Sequence, residues 1–103
     1  MAVKTEIIDL ATNFTKEAKD VIKIDAAYLF GSSASGKALK YSDIDLAIVS
    51  SDFTGFGFAD RKKLNPLILK FGASLEVHPF KKSDFSRKDP FIKEILKTGI
   101  KIA

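Results

Sequence analysis

Apolar positions in the first fifth of the chain recur at steps of three and four residues, with lysine and glutamate between them. This spacing matches the period of an α-helix and places the apolar side chains in one stripe. The pattern predicts an amphipathic helix between Val3 and Ile22. The residues of the stripe are Ile7, Leu10, Ala11, Phe14, Ala18, Val21 and Ile22.

Three later segments have the composition of β-strands. Ala26–Phe30 is a short apolar run, and Asp43–Val49 is apolar at both alternating sets of positions beyond its second aspartate. A strand that is apolar on both faces is covered on both sides, so we expect Asp43–Val49 in the centre of a sheet. Ser74–His78 alternates apolar and polar residues, and Pro79 is expected to end its pairing.

Glycine, proline and aspartate predict where the other helices begin and end. Small residues from Ser32 to Gly36 suit a turn and a short helix after the first strand. Residues 60–71 have helical spacing, with Pro66 as a kink or a second start and Gly72 as a C-cap. A last helix is predicted from Asp89-Pro90 to Gly99, followed by a short edge strand.

The resulting order, α-β-α-β-α-β-α with a final short strand, predicts an α/β (α+β) fold with helices packed on a small mixed sheet. We expect one domain over residues 1–103, because that length suits one compact unit and 46% of the residues are hydrophobic. The chain has no cysteine, which excludes disulfides and thiolate metal sites.

The charge pattern indicates which partners are expected. The net charge is +4, but the lysines are spread along the chain, so direct nucleic-acid binding is not favoured. No apolar run approaches the ~20 residues of a membrane span. Glu6 and Asp9 interrupt the apolar pattern near the start, unlike a secretory signal, and we expect a cytoplasmic location without membrane attachment.

Two carboxylates lie at the start of the predicted central strand. Asp43 and Asp45 are two residues apart, so their side chains share one face, roughly 6.5 to 7 Å apart along the strand. Carboxylate oxygens are ligands that Mg²⁺ prefers, often together with substrate phosphates. The common ~3.5 to 4 Å separation of two metal ions also fits between them.

A phosphate-binding turn is predicted upstream of these acids. Gly31-Ser32 follows a strand and precedes a helix start, where free backbone N–H groups and a hydroxyl hold phosphate. Glycine also lets the backbone approach a ligand closely.

Together, Phe30-Gly31-Ser32 and Ser42-Asp43-Ile44-Asp45-Leu46 closely resemble the signature of the DNA polymerase β-like nucleotidyltransferases, and in particular of the minimal nucleotidyltransferases that serve as antitoxins. The resemblance covers nearly the whole chain and implies that fold. It also implies that Gly31 and Ser32 bind the nucleotide and that Asp43 and Asp45 are catalytic metal ligands.

The resemblance implies a third catalytic and metal-binding carboxylate on a neighbouring strand. This role falls on Glu76, where the family more often has aspartate. The family also commonly has an arginine after the Gly-Ser pair, which this chain lacks. Lys37 is the proposed substitute in nucleotide binding, with Lys40 as the other candidate. His78 is expected on the same strand face as Glu76, within reach either of the site or of a partner's side chain.

The function implied by the resemblance is Mg²⁺-dependent transfer of AMP from ATP to a hydroxyl of a partner protein. The partner would be a HEPN-domain toxin, and the chain would form homo- or hetero-oligomers. Two alternatives stay open: a non-catalytic antitoxin module that binds nucleotide or protein, and a terminal transferase acting on nucleic acid, which would normally carry further domains. Aromatic residues in the loop 52–58 are interpreted as core anchors rather than as a contact for a base or partner.

Overall fold

The computed structural model describes residues 5–31, 34, 44–72, 75–86 and 88–103. Its helices are α1 (Thr5–Ala18), α2 (Gly57–Lys62), α3 (Asn65–Phe71) and α4 (Pro90–Thr98). Its strands are β1 (Ala26–Phe30), β2 (Ile44–Ser50), β3 (Leu75–Lys81) and β4 (Ile100–Lys101), and a 3₁₀ turn spans Lys82–Asp84. The helix predicted after Gly31 lies, apart from Ala34, outside the described residues.

The four strands form one mixed sheet in the order β3-β2-β1-β4. β1 is antiparallel to both β2 and β4, whereas β2 and β3 are parallel. The predicted α+β class is therefore confirmed, and so is the central position of β2. Among the helices in the described part of the chain, none is long and apolar enough to cross a membrane.

Each face of the sheet packs against different helices. On one face Leu29, Leu46 and Val77 contact the buried side chains of α1 and α3, including Phe14 and Ile68. On the opposite face Phe30 and Ala47 pack against Ile95 of α4, with Tyr28, Phe80 and Phe85 around them. Because side chains alternate along a strand, this double cover explains the continuous apolar run of β2.

Local start and stop signals explain most of the helix bounds. The Asp89 side chain accepts hydrogen bonds from the backbone N–H groups of Phe91 at 2.8 Å and Ile92 at 3.4 Å, as an N-cap does. Pro66 lies in the first turn of α3 and marks a second helix start, and Gly72 caps α3 with φ +120°.

Two expected element bounds are wrong. Helix α1 ends at Ala18 instead of Ile22, because the chain turns there, yet Ile22 still reaches the core. Strand β3 continues through Pro79 to Lys81, paired with β2. Proline is compatible with this position because β3 lies at an edge of the sheet formed by the described strands.

Buried Asp60 organises the loop before α2. Its carboxylate accepts hydrogen bonds from the Thr54 backbone N–H at 2.8 Å, the Thr54 hydroxyl at 2.9 Å and the Gly55 N–H at 3.0 Å. Burial alone would raise the pKa of Asp60, but these hydrogen bonds outweigh it and hold the pKa below its usual value. In this loop Phe53 is buried, as expected of a core anchor, whereas that interpretation is wrong for Phe56 and Phe58, which are 75% and 87% exposed.

Replacing Asp60 by asparagine should destabilise the protein at pH 7 by about 1–3 kcal/mol, because the buried donors lose a charged acceptor. The folded pKa of Asp60 is lowered, so its contribution is present above the unfolded pKa of about 3.9 and is lost as the pH falls through the folded value. Denaturant unfolding from pH 7 to pH 2 should therefore show the Asp60→Asn deficit shrinking with acid. Exposed Asp20→Asn is the matched control, and an equal deficit at every pH would contradict the assignment.

Candidate active site

The site is built around Asp45, the second residue of β2. Asp45 lies in register with Glu76 of β3 on one side and with Phe30 of β1 on the other. Residues in register on adjacent strands direct their side chains to the same face, and the strands are ~4.8 Å apart. The expectation that Glu76 lies on the strand next to Asp45 is therefore confirmed.

The described residues contain only part of the predicted site. Ser32, Lys37 and Asp43 lie outside them, so the joint placement of Asp43 and Asp45 remains a prediction. The described members are Gly31, Asp45 and Glu76, which come from the end of β1, the start of β2 and the start of β3. The sheet brings these three positions together at one end of neighbouring strands.

Gly31 lies directly against the Asp45 carboxylate. A Cβ atom added at Gly31 would lie 2.8 Å from Oδ2 of Asp45, so the carboxylate would have to shift. Gly31 also has φ +71°, in the left-handed region that favours glycine. The backbone conformation therefore favours glycine at the end of β1, and the absence of a side chain leaves the Asp45 carboxylate in place.

His78 contacts the other oxygen of Asp45. Its Nε2 lies 3.1 Å from Oδ1 of Asp45, and its ring meets the ring of Phe30 edge-on at 4.9 Å between centroids. His78 shares the face of Glu76 because it is two residues further along β3. With a proton on Nε2 the imidazole donates to Asp45 and orients its carboxylate, so the expected reach of His78 to the site is confirmed.

Arg61 is the site residue that sequence reasoning missed. It lies in the last turn of α2, and its Nη1 is 2.9 Å from Oε1 of Glu76 on β3. The chain has only two arginines, and arginine is better suited than lysine to a directed carboxylate contact. The arginine at position 61 was the one signal that the sequence offered. The pairing with Glu76 itself depends on how α2 packs against β3.

Each carboxylate of the site thus has its own partner. Two in-register acids on adjacent strands repel each other. Here His78 contacts Asp45 while Arg61 neutralises Glu76 from the direction of α2. The Asp45 and Glu76 side chains are 28% and 37% exposed, so both remain accessible to a ligand.

Two of the grooves on the described surface reach residues of the site. One, of about 450 Å³, lies between the end of β1 and α4 and is lined by Phe30, Gly31 and Phe91 among others. The other, of about 400 Å³, lies between α2 and β3 and includes Phe58, Arg61, Glu76, His78 and Phe80. Gly31 and Glu76 are therefore each accessible from a groove.

The donor atoms fit a hard divalent cation. Asp45 and Glu76 offer carboxylate oxygens from one face, which suits Mg²⁺ better than softer metals. Within residues 5–31, 34, 44–72, 75–86 and 88–103, no group of three His, Asp or Glu side chains is arranged to hold a metal ion. Asp43, the predicted further donor, lies outside the described residues.

Comparisons with known proteins bear on the family and the fold of the chain. Residues 11–102 match the family model of the nucleotidyltransferase domain. The fold is similar to a protein from Sulfolobus solfataricus provisionally assigned as a nucleotidyltransferase, at a TM-score of 0.67 and 21% identity over 93% of this chain and 78% of that one. It is also similar to a structure described as a toxin-antitoxin with AMP-PNP, at a TM-score of 0.67 and 21% identity over 89% and 72% of the two chains. A comparison with curated proteins finds no match.

Gly31→Ala should destabilise the protein by at least about 1–2 kcal/mol, the cost of a left-handed conformation for a residue with a Cβ atom. The overlap with Oδ2 of Asp45 adds a further cost. Gly57→Ala is the control, because a Cβ atom there meets nothing within 4 Å. Denaturant unfolding of Gly31→Ala with and without Asp45→Ala measures the overlap alone, since only the conformational cost should persist in the double variant. Additive effects of the two substitutions would contradict the close contact.

Proposed function

We propose that this chain, which belongs to the nucleotidyltransferase domain family, transfers AMP from ATP to a hydroxyl of a cytoplasmic partner protein in a Mg²⁺-dependent reaction. The observation that carries the proposal is the register of β2 and β3. It places Asp45 beside Glu76, and Gly31 lies directly against the Asp45 carboxylate.

The nucleotide is proposed to bind at the end of β1. Gly31 leaves its backbone accessible there, and Ser32 and Lys37 are the proposed further contacts to the triphosphate. The 450 Å³ groove beside Gly31 offers the half-exposed ring of Phe91 to the rest of the nucleotide. Aromatic side chains suit the face of a base.

Asp43, Asp45 and Glu76 are the proposed Mg²⁺ ligands. When bound, the ion would supply positive charge that stabilises the attacking and departing oxygens. His78 supports this assignment, because a hydrogen-bonded partner fixes the orientation of a ligating carboxylate. The hydrogen bond to Oδ1 directs the other oxygen of Asp45 towards Gly31.

Glu76 is also proposed to assist the acceptor. The acceptor hydroxyl oxygen attacks the α-phosphorus of ATP, the bond from that phosphorus to pyrophosphate breaks, and the hydroxyl proton passes to the Glu76 carboxylate. The side chain is a third exposed and borders the 400 Å³ groove, which an acceptor can enter. For this role Glu76 must exchange its contact with Arg61 for the acceptor.

A protein is the proposed acceptor, and a HEPN-domain toxin is the proposed partner, in a homo- or hetero-oligomer. The similar structure described as a toxin-antitoxin with AMP-PNP supports an antitoxin role next to a nucleotide. The dispersed lysines argue against nucleic acid as the acceptor, since nucleic-acid sites combine basic tracks with stacking aromatics.

A non-catalytic antitoxin module is the second candidate. The observation in its favour is the Arg61–Glu76 ion pair, which occupies the carboxylate that catalysis requires. On this alternative the chain binds nucleotide or partner without turnover.

ATP should bind with a divalent ion and only weakly without one, because the triphosphate would otherwise face uncompensated carboxylates. Calorimetry with Mg²⁺ and with EDTA measures the difference. Asp45→Ala should weaken binding about tenfold or more in Mg²⁺, the scale of a lost metal ligand or its support. Exposed Asp20→Ala should bind like the wild type. Equal affinity in EDTA would remove the metal assignment.

Glu76→Gln should fold and bind ATP but lower nucleotidyl transfer by about 10²-fold or more, the scale of a lost general base. Glu76→Asp should keep partial activity, and exposed Glu6→Gln is the control. Label from the α-phosphate of ATP should appear on a co-expressed helical partner protein. Label on tRNA or oligonucleotides instead would favour a terminal transferase. Tight binding without any transfer by the wild type would favour the non-catalytic module.

A further inference from the structure

The position of Arg61 is fixed by the helix that carries it. Its neighbour Asp60 is buried and holds the loop before α2 through hydrogen bonds from Thr54 and Gly55. Helix α2 also packs along β3. The backbone of Arg61 is therefore held beside Glu76, while its long side chain keeps the freedom to move its guanidinium group.

The ion pair of Arg61 and Glu76 is easy to exchange. The two side chains are 39% and 37% exposed, and pairs with this exposure contribute only about 0–1 kcal/mol to stability. A ligand that offers either charge a better partner can therefore separate them. The pair borders the 400 Å³ groove, so a ligand has space to enter beside it.

A divalent ion at Glu76 changes the charge balance at this point. It takes up the negative charge of Glu76, which leaves the guanidinium group of Arg61 without its partner, beside the ion site. Among the described residues that line this groove, Arg61 is the only one with a permanent positive charge. Its planar array of donors matches phosphate oxygens well.

We propose that Arg61 is an exchangeable counter-ion that holds Glu76 when no divalent ion is bound and binds the α-phosphate of the nucleotide once Glu76 turns to the ion. This inference rests on the proposed function, because it requires Mg²⁺ and ATP at the Asp45–Glu76 face, with the reacting α-phosphate beside Glu76.

The test measures three affinities of Arg61→Gln, with exposed Lys62→Gln on the same helix as the matched change of charge. Calorimetry with Mg²⁺ alone should show tighter binding by Arg61→Gln, because the ion no longer displaces a cation from Glu76. Calorimetry with ATP at saturating Mg²⁺ should show binding about tenfold weaker, the scale of a lost charged hydrogen bond. The affinity for adenosine, which has no phosphate, should hardly change. Lys62→Gln should leave all three affinities near the wild-type values.

The opposite direction of the two main effects separates exchange from a structural role. If the affinities for Mg²⁺ and ATP fall together, or if neither changes, the inference is wrong while the proposed function stands. If the wild type binds no ATP in Mg²⁺, the proposed function itself fails. Thermal melting checks that Arg61→Gln is folded. If Arg61→Gln is unfolded, Arg61→Lys should show the same two effects, tighter Mg²⁺ binding and weaker ATP binding, with smaller magnitudes. The reason is that lysine keeps the charge and loses the planar donors. Wild-type affinities in Arg61→Lys would overturn the inference.

Discussion

The register of the parallel strands β2 and β3 determines the candidate site. Asp45 pairs with Glu76, and the next polar residue of β3, His78, falls on the same face within reach of Asp45. A slip by one residue would turn Glu76 and His78 to the opposite face, among the helices α1 and α3. Such a slip would also expose Leu75 and Val77, which are buried in the main core. The energy of core packing therefore fixes the placement of the site, although none of its described members, Gly31, Asp45 and Glu76, lies in that core.

Much of the fold follows from local signals in the sequence. Asp89-Pro90 and Gly99 predicted both ends of α4, because caps and prolines act through their immediate neighbours. Pro66 predicted a kink or a second helix start, and the structure has the second start. The length of β3 was not predictable in this way. Whether Pro79 interrupts pairing depends on which side of the sheet is open, and strand order is a property of the assembled fold.

The site residues also divide into those that the sequence predicted and those that depend on the assembled fold. The family signature indicated Gly31, Asp45 and Glu76, and the sheet places all three at neighbouring positions. Arg61 was missed because it joins Glu76 from fifteen residues earlier in the chain, through the packing of a short helix. The two solved structures described above have 21% identity with the chain, so the fold is retained with largely different residues.

Pro79 has a consequence for association between copies of the chain. β3 is an edge strand of the sheet formed by the described strands, and such an edge is a template on which strands of other molecules can assemble. Proline has no backbone N–H to offer an incoming strand, and Lys81 and Lys82 follow it with positive charge. This strand can thus leave its end at the candidate site accessible while resisting growth into intermolecular sheets and aggregates.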